Sequence, residues 1–93
     1  MLNSIQVNVI KQTLNRFEPS LVGIFGSYAR NEQNSTSDLD ILIDFKQNIN
    51  LLDLIGIEQE LTETLGIKVD LVTVRSVNSK LDKFIQKDLI RIV

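Results

Sequence analysis

Apolar residues recur along the chain with two periods, and the change from one to the other marks the elements. From Ser4 to Arg16 and just beyond, Ile5, Val9, Leu14 and Phe17 fall near helical spacing, with Asn3 or Ser4 available as N-cap. Glu18-Pro19-Ser20 ends that helix. Leu21-Val22-Gly23-Ile24-Phe25 is an apolar run of strand length, closed by Gly26-Ser27. Ser27 to Asn31 is expected to form a short helix, and Asn31 to Ser37 a polar loop.

Asp38 to Phe45 alternates most clearly. Leu39, Ile41, Ile43 and Phe45 fall on one face, and Asp38, Asp40, Leu42 and Asp44 on the other. Asn50 then caps a helix that runs to about Leu65, with Leu51, Leu54, Ile57, Leu61 and Leu65 at steps of three and four and Gly66 at its stop. Ile67 to Val74 alternates again, placing Ile67, Val69 and Leu71 opposite Lys68, Asp70 and Val72. A last helix from about Ser79 to Lys87 is expected to bury Leu81, Phe84 and Ile85, and the β-prone tail Leu89 to Val93 to add an edge strand. The order α-β-α-β-α-β-α predicts an α/β (α+β) fold. Its two layers are a mixed β-sheet with helices on one face.

At 93 residues, a single domain spanning 1–93 is expected, burying roughly 60–70% of its unfolded surface. The hydrophobic share of 43% is ample for a core. Composition then narrows the chemistry. There is no Cys and no His, which excludes a thiolate nucleophile, a disulfide framework, an imidazole base and a histidine-ligated metal. Any catalysis must come from carboxylates, hydroxyls, Lys, Arg and a hard cation. Ten Lys and Arg against twelve Asp and Glu leave a net charge of -2, a poor basis for direct nucleic-acid binding. No apolar run is long enough to span a membrane, and the N-terminus is polar by Asn3, so a soluble cytoplasmic protein is expected.

The candidate chemistry lies in three carboxylates and one turn. Asp38 and Asp40 point the same way on one strand, within about 7 Å along it. Asp70 occupies the equivalent face of the third strand and joins them if the two strands are neighbours. Three such groups repel one another unless a cation lies among them, and oxygen-only ligands favour Mg²⁺ or Mn²⁺. Gly26-Ser27 turns from strand into helix, where free backbone N–H groups, the Ser27 hydroxyl and Arg30 one turn on can hold a phosphate. Each feature alone has an ordinary reading. A Gly-Ser pair is usually a turn, Asp-x-Asp an edge or cap, and Asp70 a surface acid. Their conjunction points to nucleotide chemistry with a hard metal. Lys80, Lys83 and Lys87 read as a solvated helix face, and Tyr28 as a packing residue.

Gly26-Ser27, ten residues, then Asp38-Leu39-Asp40 resembles the signature of the DNA polymerase beta-like nucleotidyltransferases. The string GSYARNEQNSTSDLDILIDF is similar to their minimal nucleotidyltransferase branch, and the likeness spans essentially the whole chain. Many relatives have Gly where this chain has Asn31, the next most tolerant residue of a left-handed conformation. The resemblance implies a nucleotidyltransferase fold in which Asp38, Asp40 and Asp70 are catalytic and bind two Mg²⁺ ions. ATP is the implied substrate, with Gly26, Ser27 and, more weakly, Arg30 binding its phosphates. It further implies an antitoxin that transfers AMP from ATP to a tyrosine hydroxyl of a partner HEPN-domain ribonuclease toxin. A small domain leaves little chain to build an acceptor site, which fits a protein partner. Two other readings stay open: an antitoxin that neutralises by binding alone, and a nucleotidyltransferase for a small molecule or an RNA end.

Overall fold

The computed structural model describes residues 2–93. Asparagine starts each helix. Asn3, Asn50 and Asn78 stand in extended backbone ahead of α1 (Ser4–Asn15), α2 (Leu51–Leu65) and α3 (Ser79–Asp88), and each side chain accepts the amide three residues on. At Asn3 and Asn50 the third residue, Gln6 or Asp53, returns a bond to the cap amide and closes a capping box. Gly66 ends α2 in the left-handed conformation at φ 69°, where its N–H bonds Thr62 O.

Four strands form one sheet in the order β3-β2-β1-β4: β1 (Pro19–Phe25), β2 (Leu39–Phe45), β3 (Val69–Thr73) and β4 (Ile90–Arg91). β1 pairs antiparallel with β2 and β4, whereas β2 and β3 run parallel across the α2 crossover. The mixed sheet and the edge position of the C-terminal strand are as expected. The third strand is shorter than its alternating pattern, because Val74–Ser76 turns into a 3-10 segment. Its outer edge is covered by α2: Thr62 Oγ1 accepts the Val69 amide at 3.0 Å, and Glu58 Oε2 the Leu71 amide at 2.9 Å.

The main core joins one sheet face to α1 and α2. Val22, Ile24, Leu39, Ile41, Ile43, Phe45 and Val69 meet Ile10, Leu14, Ile57 and Leu61. Phe17 packs edge-on against Phe45 with centroids 5.9 Å apart. Ile5 and Leu51 are exposed instead, since each helix buries only the turns that lie over the sheet.

The helices do not all lie on one face. Ile85 of α3 packs against Phe25 and Leu42 on the opposite face, with Leu21, Val72 and Leu89 around it. The cause is in the strands: the acidic face also carries Phe25, Leu42 and Val72, and that apolar strip needs a cover. α3 supplies it with one fully buried residue. Leu81 and Phe84, expected inside, stay 39% and 60% exposed. Among the described residues no helix is long and apolar enough to cross a membrane.

Candidate active site

α3 thus shares its face with the carboxylates. Strand pairing fixes their positions: Phe25 of β1, Asp40 of β2 and Asp70 of β3 are successive register partners across the sheet. Neighbouring strands lie about 4.8 Å apart, so Asp40 and Asp70 stand side by side on one face. Asp38 precedes β2, and its Oδ2 lies 3.8 Å from Lys68 Nζ. The structure therefore brings all three predicted acids to one end of the sheet.

The turn after β1 closes on the same spot. Gly26 sits at φ 77°, and a Cβ built there would collide with the Asp40 carboxylate. Both facts favour glycine. Gly26 O accepts the amides of Ala29 and Arg30, and Ser27 O that of Glu32. This is a single turn and not the short helix expected, because Asn31 enters the left-handed region at φ 58° and ends it. Among the described hydrogen bonds, the N–H groups of Ser27 and Tyr28 donate to none, leaving donors for an anion beside Asp40. Tyr28 and Ala29 pack on the main core, as expected of Tyr28.

Electrostatics make Asp40 the anomalous group. Burial, then the charges of Asp70 and Asp38, push its carboxyl up to about 6, with the Arg30 charge opposing. Negative charge here is under-compensated, which is the condition a bound cation would relieve. As the side chains stand, no three His, Cys, Asp or Glu among the described residues close into a metal cage. Asp38 leans towards Lys68, and Asp70 is exposed. The donor set nonetheless suits a hard divalent ion. It is all oxygen, carries two carboxylates side by side on one face with a third at their end of the sheet, and is electrostatically in need of a cation.

Arg30 stands at the rim, where it has protein partners that sequence reading missed. Its Nη1 donates to Asp88 Oδ2 at 2.7 Å and its Nε to Glu32 Oε2 at 3.2 Å. One signal was available for Asp88: an acid at a helix C-terminus opposes the helix dipole and calls for a cation. Lys80, Lys83 and Lys87 are exposed along α3, as a solvated face. The carboxylates lie on an open surface. A hollow of about 620 Å³, lined by Lys11, Glu18, Lys46 and Val93, is at the other end of the sheet.

Comparison with known proteins adds independent findings. A family model described as polymerase beta nucleotidyltransferase matches residues 8–93. A Methanocaldococcus jannaschii protein with the provisional name protein adenylyltransferase is 49% identical over 83 residues, covering 88% of this chain and 85% of its own length. The protein adenylyltransferase MntA of Thermococcus cleftensis is 39% identical over 80 residues, covering 86% and 81%. A crystal structure of a toxin–antitoxin with AMP-PNP contains a similar chain, with a TM-score of 0.82 and 26% identity over 91% of this chain and 70% of that one.

Proposed function

The chain belongs to the polymerase beta nucleotidyltransferase family, and on that premise we propose that it is an antitoxin that adenylylates its toxin. In this reading AMP passes from ATP to a tyrosine hydroxyl of a cognate HEPN-domain ribonuclease, in the cytoplasm, with Mg²⁺ bound. The observation that carries it is the alignment of Asp40 with Asp70 beside the Gly26 turn. The protein adenylyltransferase relative and the toxin–antitoxin neighbour with AMP-PNP support the nucleotide, and the kind of acceptor.

The geometry supports the following roles. Asp38, Asp40 and Asp70 would hold the two divalent ions, which when bound lower the pKa of the attacking hydroxyl and neutralise the leaving pyrophosphate. The Ser27 and Tyr28 amides and the Ser27 hydroxyl hold the β- and γ-phosphates, and the missing Cβ of Gly26 keeps Asp40 clear of the turn. Arg30 adds positive charge at the phosphate end. The acceptor oxygen forms a bond to the α-phosphorus, the bond to pyrophosphate breaks, and the hydroxyl proton is released. The open face around Asp70 leaves the acceptor to be positioned by its own protein.

The test is incubation with ATP, Mg²⁺ and the cognate toxin. Intact mass of the toxin should rise by whole AMP units, and Asp38→Asn or Asp40→Asn should abolish the rise. The second reading is neutralisation by contact alone. That reading requires the Asp38/Asp40 double variant to neutralise the toxin fully without ATP. A nucleotidyltransferase for a small molecule or RNA end would instead label tRNA or aminoglycosides from radiolabelled nucleotide.

A further inference from the structure

The Arg30–Asp88 pair joins the phosphate turn to a helix 58 residues away in sequence. Its two carboxylates are not equivalent. The Asp88 side chain is 10% exposed and 2.7 Å from Nη1, whereas Glu32 is 65% exposed and 3.2 Å from Nε. A screened rim contact such as Glu32 fixes little. A short charge-assisted bond donated to a nearly buried carboxylate restrains the guanidinium. Asp88 is also the last residue of α3, where the helix dipole disfavours an anion and the Arg30 charge offsets it.

The described bonds occupy Nη1 and Nε and leave the Nη2 edge without a described partner. That edge is available to a ligand. The Arg30 amide donates to Gly26 O, and Gly26 lies against the Asp40 carboxylate, so Arg30 starts one turn from the carboxylate site. α3 is itself fixed to that face by Ile85 against Phe25, the residue immediately before Gly26.

We propose that Asp88 is a positioning residue, bracing Arg30 from behind so that its free guanidinium edge meets the triphosphate of the bound nucleotide. The inference rests on the adenylyltransferase reading and adds to it a residue that the nucleotide does not touch. The opposite sign is physically available, since Asp88 could compete with phosphate for Arg30, and the experiment separates the two.

MgATP affinity is measured by calorimetry on the wild type, Asp88→Asn, Asp88→Glu, Arg30→Ala and the Arg30→Ala/Asp88→Asn double variant. Asp88→Asn should weaken binding on the order of tenfold, the scale seen when an outer partner of a site is lost. Asp88→Glu should recover part of the loss, and in the Arg30→Ala background Asp88→Asn should cost nothing more. A simple loss of fold would not produce that non-additivity. Unchanged or tighter binding by Asp88→Asn overturns the inference and leaves the adenylyltransferase reading standing. So does an equal loss in the Arg30→Ala background. Failure of the wild type to bind MgATP overturns both.

Discussion

Asp40 stands at the junction of β1, β2 and β3, and its carboxyl is held at about 6 against an ordinary 3.8. A carboxyl raised on folding binds more protons in the native state than in the unfolded one between those two values. The contribution of Asp40 to native stability therefore falls as pH rises from about 4 through 6, and stays lower above it. Asp40→Asn removes the charge that burial and its two acidic neighbours penalise. In EDTA its melting temperature should exceed that of the wild type at pH 8, and the difference should shrink towards pH 4. An equal melting temperature at pH 8 would mean that Asp40 is not under strain. Gly26→Ala forces an L side chain into a left-handed backbone and against the Asp40 carboxylate. The backbone cost alone is about 1–2 kcal/mol, readable in urea denaturation.

Among the elements, the alternation of β2 and the steps of α2 were legible because each follows one dominant pattern. Leu39, Ile41 and Ile43 all went inside, Asn50 capped, and Gly66 stopped the helix. The side of the sheet taken by α3 was not legible. Its apolar residues admit several faces, and the choice depends on Phe25 and Leu42, which face a strip only when β1 and β2 pair. The same limit hid the Arg30–Asp88 pair, whose partners meet only through the docking of α3. Glu18 escaped for a different reason. It takes φ 54° between α1 and Pro19, a conformation that nothing in its side chain announces. α3 is held on its face by little, so Ile85→Ala should cost about 2–5 kcal/mol, the range for emptying a filled core site. Its unfolding midpoint in urea should fall accordingly, and a shift below 0.5 kcal/mol, within the ~0.5 kcal/mol typical of surface changes, would mean that α3 is not anchored there.

For the whole molecule, the absence of His and Cys leaves carboxylates, backbone amides and an arginine as the groups of the candidate site. One end of a mixed sheet gathers three acids, a glycine turn with spare amides and a braced arginine, and leaves the space in front of them open. Binding to the native state alone raises stability by mass action. MgATP should accordingly raise the melting temperature of the wild type, and Asp38→Asn/Asp40→Asn should remove the shift without lowering the starting value. The Gly26 turn with Asp38 and Asp40 is legible in sequence because it is local, with set spacing, whereas Asp70 joins it only through the pairing of β2 with β3. The proposed acceptor is not legible, because the face in front of Asp70 is exposed and no pattern in the chain describes what meets it.

Transfer of the adenylyl group, as opposed to phosphate or to contact alone, is read from the position of a radiolabel. The protein, its cognate toxin and Mg²⁺ are incubated with ATP labelled at either the α- or the γ-phosphate. Adenylyl transfer puts label on the toxin from α-labelled ATP only, and none with the Asp40→Asn variant. Label from the γ-phosphate, or toxin neutralised with no label from either, would contradict it.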